Sequence, residues 1–318
     1  MGGFSGSSFS RAQLLRWLPP LALVAALAGL APALSRAQAG SADHLTPRGL
    51  VAEHALEYRW SAGVLWSLLP APGVPLELRI RVGENYQMRA IRADGERVLV
   101  VWLPHAAGTD TGSEIVARLV AARGWAVASL LPPPDLPRPG APLEAWVALA
   151  EERIRAGREA LQMFATDDRV CVVVMGVSVG GIAALRVAEL EPRVNAVVAM
   201  LAGSGSDGFA HAAHAYGASE APLARAELSR LDALDPAQHA ASLDARPRLL
   251  IRAALDDVIS ADSFTALRTA LGNPDVSTYA TGHESFVYVM PFAVRSGLDW
   301  ISRVCARRDA SASFTTAQ

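Results

Sequence analysis

Five segments of this chain are almost entirely apolar, and they alternate with segments that have the apolar periodicity of helices. The five are "RVLVVWLP" (97–104), "WAVASLLPP" (125–133), "RVCVVVM" (169–175), "VNAVVAML" (194–201) and "RLLIRA" (248–253). Strands that are apolar on both faces must be covered on both faces, which is typical of a parallel sheet between two layers of helices. The sequence therefore predicts an α/β fold with a mainly parallel sheet.

Helices and a hairpin are also predicted around these segments. "SEIVARLVAARG" (113–124) has helical periodicity and closes with Gly124, and a longer amphipathic helix is predicted over 143–165. Before the first apolar strand, "LELRIRV" (76–82) and "YQMRAIRA" (86–93) alternate apolar and polar residues on either side of a turn-forming "GEN". This alternation predicts two half-exposed strands joined as a hairpin.

The first 39 residues have the pattern of an export signal. Arg11 and Arg16 precede an apolar run that ends at the small-x-small sequence Ala37-Gln38-Ala39. The pattern predicts a signal peptide over 1–39 and a single mature domain over 40–318 that is periplasmic or secreted.

An uncleaved membrane anchor is the alternative reading of this N-terminal run. Pro19, Pro20 and Pro32 interrupt the run, and its uninterrupted middle is short for a membrane-spanning helix. No membrane span is therefore expected in the mature chain. Export would also place Cys171 and Cys305 in an oxidising compartment. There they either form a disulfide or stay unpaired, with Cys171 in a buried strand and Cys305 near the C-terminus.

One serine stands between two glycines where a buried strand meets a helix. In "GVSVG" (176–180), a side chain on either glycine would collide with the neighbouring strand and helix. Ser178 can therefore occupy a strained, sharply turned position with its hydroxyl exposed. The following helix points its positive end at the serine, and the backbone N–H of Val179 is free to donate to an oxyanion. The strand before and the helix after favour a nucleophile elbow over a chance match.

A serine hydroxyl needs a base to act as a nucleophile near neutral pH, and the base needs a group that holds its tautomer. On such a sheet the expected chain order is serine, acid, histidine, each on a loop after a strand. His283, in "STYATGHESF", lies beyond every plausible acid loop, and Asp256 and Asp257 follow the strand "RLLIRA". We predict Ser178 as nucleophile, His283 as base and Asp256 as acid, with Asp257 as a solvent-facing neighbour.

These segments together resemble the α/β-hydrolases, most closely the dienelactone-hydrolase-like and acetyl-esterase-like serine hydrolases. The resemblance rests on "GVSVGGIAAL" with "LEPRVNAVVAMLAG", on "DPAQHAASLDARPRLLIRAALDDVIS" and on "TGHESFVYVMPFAVRSGLDWI". It spans nearly the whole mature chain. It implies an α/β-hydrolase fold with about eight strands, helices on both faces and a Ser-His-Asp triad. The alanine-rich stretch over about 204–240 is too short for a large lid and predicts a small cap.

The chain departs from this family at two places. Many members have His-Gly after the third strand, whereas this chain has His105-Ala106-Ala107-Gly108. A glycine that commonly precedes the acid by three residues is Ala253 here. The first departure concerns the oxyanion hole, whose first donor is the N–H of Val179. For the second donor we predict the backbone N–H of Ala107, with that of Ala106 as the alternative.

Three other patterns have simpler explanations. "GSGSDG" (203–208) matches a dinucleotide-binding fingerprint, but no βαβ unit follows it, which favours a flexible loop. Asp207, His211 and His214 share a helical face at a spacing that metal ligands use, but an exposed alanine-rich helix explains them equally well. "LPPPDLPRPGAP" (131–142) is typical of a stiff loop. No cofactor and no metal are expected.

Composition narrows the remaining function classes. The 318 residues are 51% hydrophobic with a formal net charge of -2, which suits one sizeable core and is too balanced to indicate nucleic-acid binding. All 29 basic residues are arginine, which excludes lysine Schiff-base chemistry and the lysine of a P-loop. The expected partner is a small-molecule ester, while the oligomeric state stays open.

The expected reaction is hydrolysis of a carboxylic ester with a small or short acyl chain, through an acyl-enzyme. Three alternatives remain. They are a peptidase or amidase with the same triad, a catalytically silent binding protein on the same scaffold, and a lyase or transferase. The triad can expel either an alcohol or an amine, so the residues do not separate an esterase from an amidase. Rates with matched ester and amide substrates do.

Overall fold

The computed structural model describes most of the chain after residue 75. The described ranges are 76–82, 86–92, 97–106, 110–131, 137–138, 140–165, 170–218, 225–243 and 246–315. The predicted signal peptide over 1–39 lies outside these residues, and so does Ala107.

The described strands form one hydrogen-bonded sheet. They are β1 (Leu76–Val82), β2 (Tyr86–Arg92), β3 (Val98–Leu103), β4 (Ala126–Leu130), β5 (Cys171–Val177), β6 (Ala196–Met200), β7 (Arg248–Ala253) and β8 (Asp275–Tyr279). Their order across the sheet is β1-β2-β4-β3-β5-β6-β7-β8. β1 and β2 pair antiparallel, as do β2 and β4, while the strands from β4 across to β8 pair in parallel. The predicted mainly parallel sheet is confirmed.

Helices connect the parallel strands. Within the described residues they are α1 (Asp110–Ala121), α2 (Leu143–Phe164), α3 (Val179–Leu190), α4 (Ser206–Ala215), α5 (Arg225–Leu234), α6 (Ala261–Ala270) and α7 (Met290–Thr315). α4 and α5 lie in the stretch predicted to form a small cap. None of the helices described is both long and apolar enough to cross a membrane.

The two faces of the sheet are covered by different helices. Leu99, Val101 and Leu103 of β3 pack in one core with α2 and α3. On the opposite face, α7 packs closely against β5. A methyl group added to Gly297 of α7 would lie only 3.0 Å from the side chain of Met175. Because alternate residues of each strand meet a different helical layer, these strands are apolar along their whole length.

Cys171 and Cys305 form a disulfide with a Cα–Cα distance of 5.8 Å. Cys171 is the first residue of β5 and Cys305 lies on α7. The sequence left open whether these residues pair, and the structure joins them. The disulfide ties α7 to the edge of the sheet where β5 begins, opposite to the edge that carries Ser178.

Candidate active site

Ser178 sits on a sharp turn between β5 and α3, with φ 57° and ψ −125°. A Cβ atom on Gly176 would lie 2.1 Å from the carbonyl oxygen of Gly180, and one on Gly180 would lie 2.2 Å from that of Leu103. Both positions therefore require glycine. The Ser178 amide donates to the carbonyl of Met200 at 2.8 Å, which fixes the strained turn to the neighbouring strand.

The structure brings His283 and Asp256 to this serine. The Nε2 atom of His283 lies 3.1 Å from the Ser178 Oγ atom. The Nδ1 atom of His283 lies 2.9 and 3.0 Å from the two carboxylate oxygens of Asp256. A carboxylate only accepts, so Nδ1 carries the proton of the neutral ring and Nε2 accepts from the serine hydroxyl. The arrangement can activate the serine as a nucleophile.

Asp256 and not Asp257 faces the histidine. The Asp256 side chain is 7% exposed, and its Oδ1 atom also accepts from the backbone amides of Val258 and Ile259 at 3.0 and 2.8 Å. Asp257 is exposed, and its backbone carbonyl lies 3.3 Å from the His211 Nε2 atom. The loop thus holds one carboxylate inward and leaves the other in solvent.

One side of the expected oxyanion hole lies within the described residues. Val179 is the first residue of α3, where a backbone N–H has no acceptor inside the helix, so this N–H can donate beside Ser178. Ala107, the predicted second donor, lies outside the described residues, so its role stays a prediction. Ala106, the alternative, is buried and lines a small hollow together with Ser178 and Val179.

Two spaces meet at Ser178. The main cavity has a volume of about 250 Å³ and is lined by both Ser178 and His283. Its other side chains include Trp102, His105, Leu201, Tyr216, Glu284, Phe286, Val287 and Met290. The small hollow, of about 30 Å³, lies on the side of Val179 and is lined mostly by apolar side chains, with Tyr216 shared between the two spaces.

His105 is a second histidine in the wall of the main cavity. Burial is the main cause that lowers its pKa to about 4, and the nearby positive charge of Arg153 acts in the same direction, against the opposing effect of Glu284. The ring is therefore uncharged at neutral pH. Arg153 is fully buried and donates to the carbonyl oxygen of Pro104, which holds the end of β3 near the elbow.

Tyr216, just after α4, connects the end of this helix to the loop that carries His283. Its hydroxyl donates to the Glu284 carboxylate at 2.7 Å, and its ring stacks on Trp146 and meets the His283 ring edge-on. Burial raises the pKa of Tyr216 well above its usual value, and the bond to Glu284 raises it further. The tyrosine therefore stays protonated and donates a hydrogen bond to Glu284.

The glycine-rich segment 203–208 is explained by packing. A Cβ atom on Gly203 would lie 2.3 Å from the hydroxyl oxygen of Ser263 on α6. That hydroxyl accepts from the Ser204 amide at 2.9 Å and donates to the Ser204 carbonyl at 2.7 Å. The glycine thus allows a close approach to α6. Among the described side chains, no group of three or more histidine, cysteine or acidic residues is placed to hold a metal.

Ser178, Asp256 and His283 follow the carboxyl ends of β5, β7 and β8, in the chain order serine, acid, histidine. This order on a mainly parallel sheet, with the serine on a glycine-flanked elbow, decides the fold type. The chain has the α/β-hydrolase fold.

Solved structures of low sequence identity share this α/β-hydrolase fold. The protein TT1662 of Thermus thermophilus aligns with 73% of this chain and 98% of its own, with a TM-score of 0.55 and 17% identity. The esterase Pf2001 of Pyrococcus furiosus aligns with 73% of this chain and 91% of its own, with a TM-score of 0.51 and 15% identity. A 2,6-dihydroxy-pseudo-oxynicotine hydrolase aligns with 73% of this chain and 68% of its own, with a TM-score of 0.50 and 17% identity. No protein-family model matches the sequence, and no curated protein matches it either.

Several residues around the α/β-hydrolase elbow were missed by sequence reasoning. Arg153 had a detectable signal, because it falls on the apolar stripe of α2 between Ala150 and Ile154. Trp102 and Tyr216 had none, since a tryptophan in an apolar strand and a tyrosine after a cap helix are both ordinary. Their place in the cavity wall depends on how the segments pack.

Proposed function

We propose that this protein is a serine hydrolase that cleaves a carboxylic ester with a small or short acyl chain. The observation that carries the proposal is the continuous hydrogen-bonded chain from Asp256 through His283 to Ser178, beside the main cavity. Two of the similar structures are named as an esterase and a hydrolase, which supports the same reaction class.

In the proposed reaction, each residue around Ser178 has one role. The Ser178 Oγ atom attacks the ester carbonyl as His283 Nε2 takes its proton, and the Asp256 carboxylate stabilises the imidazolium through Nδ1–H. The Val179 N–H, together with that of Ala107, holds the oxyanion. The intermediate collapses to an acyl-serine when His283 returns the proton to the leaving alcohol. Water then attacks by the same steps and releases the acid.

The size of the site supports a small substrate. Ligand pockets commonly have about 300–1,000 Å³, whereas the main cavity has about 250 Å³ and the small hollow about 30 Å³. A long-chain triglyceride is larger than these spaces together. A short acyl group beside Val179 and a modest alcohol in the main cavity match them better.

Labelling with a fluorophosphonate probe tests this proposal. We expect the purified mature protein to be labelled at Ser178 and to turn over p-nitrophenyl acetate. Ser178→Ala should lose labelling and lower kcat by about 10⁴ or more, because alanine fits the elbow and removes only the nucleophile. Turnover that survives in a folded Ser178→Ala protein would place the catalytic group elsewhere.

The amidase alternative is tested with matched substrates. The wild-type protein should hydrolyse a p-nitrophenyl ester much faster than the corresponding anilide with the same acyl group, after correction for intrinsic reactivity. A corrected preference for the anilide would indicate a peptidase or amidase.

We also propose that the chain is exported after cleavage of residues 1–39. The N-terminal pattern of arginines, apolar run and "AQA" motivates the proposal. The disulfide between Cys171 and Cys305 supports it, because such bonds persist mainly in oxidising compartments.

A further inference from the structure

The small hollow beside Ser178 borders a second small space. This second space has a volume of about 10 Å³ and lies next to α5, where Leu231 and Leu234 line it. Three described residues line both spaces, and they are Ile182, Phe209 and Ile259. These residues therefore form a partition between the hollow at the serine and the second space.

Phe209 differs from the other two members of this partition. Ile182 lies on α3, which follows the nucleophile, and the amide of Ile259 donates to the Asp256 carboxylate at 2.8 Å. Phe209 lies on α4, which carries none of the triad residues. A substitution at Phe209 therefore alters the partition and leaves the segments of the triad intact.

Close contacts hold the beginning of α4 against α6. A Cβ atom on Gly208 would lie 2.6 Å from the hydroxyl oxygen of Ser263, and Gly203 approaches the same hydroxyl. In the first turn of α4, the Phe209 amide donates to the carbonyl of Gly205 at 3.0 Å. The Phe209 side chain is half-buried and packs against the hydrophobic core. These contacts fix the backbone that carries the ring, so Phe209 keeps its place in the partition.

The position of His283 indicates which half of an ester the small hollow holds. The leaving alcohol must take its proton from His283 Nε2, so its oxygen must lie next to that atom. His283 lines the main cavity but is not among the residues that line the small hollow. The alcohol therefore extends into the main cavity, and the acyl chain points into the hollow beside the Val179 N–H.

The partition limits the length of an acyl chain in the small hollow. The hollow has a volume of about 30 Å³, which is about a tenth of a small ligand pocket of about 300 Å³. Its wall is mostly apolar, so it suits an alkyl group. The methyl group of an acetyl ester fits such a space, whereas a longer chain must displace Phe209 or leave the hollow.

We infer that the small hollow is the acyl-binding site and that Phe209 sets the length of the acyl chain, which restricts the substrates to acetyl and propionyl esters. This inference rests on the proposed ester hydrolysis and makes it more specific. It names Phe209 as a residue that determines specificity because its ring separates the hollow from the second space.

A series of p-nitrophenyl esters tests the inference. The acetate, butyrate and hexanoate share one leaving group and differ only in the acyl chain. Each kcat/KM is divided by the rate constant for alkaline hydrolysis of the same ester, which removes differences in intrinsic reactivity. In the wild type this normalised value should fall by roughly tenfold or more from acetate to hexanoate, since surplus methylene groups in a closed pocket have effects of this size.

Phe209→Ala removes the ring and joins the two spaces. The normalised ratio of hexanoate to acetate should rise by roughly tenfold or more in this variant, because each methylene group that enters an apolar space contributes about fourfold. Phe292→Ala is the matched control, since Phe292 is 65% exposed on α7 and lines neither of these spaces nor the main cavity. This control should keep the acyl-chain profile of the wild type.

A second series varies the alcohol and keeps the acetyl group. Ethyl, butyl and hexyl acetate place their different chains in the main cavity, which Phe209 does not line. Phe209→Ala should therefore leave the relative rates of these three esters as they are in the wild type. A change in the alcohol series without a change in the acyl series would overturn the assignment of the hollow to the acyl chain.

Three further results would overturn the inference while ester hydrolysis still stands. They are equal normalised rates for acetate and hexanoate in the wild type, an unchanged acyl profile in folded Phe209→Ala, and an equal shift in Phe292→Ala. Circular dichroism and thermal melting establish that each variant is folded. If Phe209→Ala does not fold, Phe209→Leu replaces it and should shift the ratio in the same direction, and an unchanged ratio then counts against the inference. Failure of the wild type to hydrolyse any ester would instead refute the proposed function.

Discussion

Asp256 and Asp257 are neighbours in the chain but lie in opposite environments. Asp256 accepts hydrogen bonds from His283 and from two backbone amides, whereas Asp257 is exposed. Adjacent loop residues direct their side chains differently, so only one of them can face the imidazole. The two positions therefore form a natural pair of variant and control.

Asp256→Asn should lower kcat for ester hydrolysis by up to roughly 10⁴, because an amide in place of the carboxylate favours the wrong tautomer of His283. Asp257→Asn should change kcat less than about twofold, as expected for an exposed side chain without a catalytic contact. Steady-state kinetics of both variants under identical conditions make the comparison. A larger loss at position 257 than at position 256 would contradict the assignment of the acid.

At the scale of a single element, α3 carries the elbow at one end and a buried charge cluster at the other. Glu189 has a side chain that is 1% exposed and contacts the guanidinium of Arg186 one turn earlier. Burial is the largest effect and, with a smaller contribution from Asp235, raises the pKa of Glu189 to about 7, although Arg186 and Arg246 lower it. The carboxyl therefore holds its proton more tightly than a glutamate in the unfolded chain does.

Glu189 should make the protein less stable as pH rises from about 4.5 to 7. In this window the folded state keeps a proton that the unfolded state has released, so the free energy of unfolding decreases with pH. Through Glu189 the free energy of unfolding changes by at most about 3 kcal/mol over this window. Glutamine at position 189 cannot titrate, so the free energy of unfolding of Glu189→Gln should not show this decrease. Relative to the wild type it should therefore rise by a similar amount between pH 5 and pH 8.

Urea unfolding of both proteins at pH 5 and pH 8 gives the required difference. The change with pH is decisive rather than the offset between the proteins, because glutamine also removes the partner of Arg186. The raised pKa would be refuted if the two proteins differ in free energy of unfolding by the same amount at both pH values.

At the scale of the whole molecule, the disulfide links residues that are 134 positions apart. A cross-link across so long a loop restricts the unfolded chain and contributes about 4–5 kcal/mol in the chain-entropy model. The double variant Cys171→Ala with Cys305→Ala should therefore have a Tm lower by roughly 10 °C or more. A thermal melt of both proteins without reductant measures the difference.

Activity of the cysteine-free protein at 25 °C provides the control for this prediction. Cys171 begins β5 and Ser178 follows its last residue, so the two lie about 20 Å apart along the strand. The folded double variant should keep its kcat. An unchanged Tm would show that the cross-link does not stabilise the molecule.

Export has a separate test at the N-terminus. Signal peptidase should cut after Ala39 and leave Gly40 as the first residue, because "AQA" presents small residues at both recognition positions. N-terminal sequencing of protein from its native host gives the answer. Recovery of intact Met1 in the membrane fraction would favour an anchor instead.

Local patterns accounted for much of the fold and for the serine of the candidate site. The apolar strands, the helix over 143–165 and the glycine-flanked turn at Ser178 are each encoded in a few consecutive residues, so they could be predicted directly. Asp256 and His283 were found by a rule of chain order on such a sheet, not from their own surroundings. The oxyanion role of Ala107 and the signal peptide over 1–39 stay predictions.

The sequence by itself determined the alternation of strands and helices, because the period of apolar residues reports which faces are buried. The tertiary structure alone decided that Cys171 pairs with Cys305, that Arg153 lies buried behind Pro104, and that Trp102 reaches the main cavity. These contacts join segments that lie far apart in the chain. They depend on how helices and strands pack against one another, and no short stretch of residues encodes that packing.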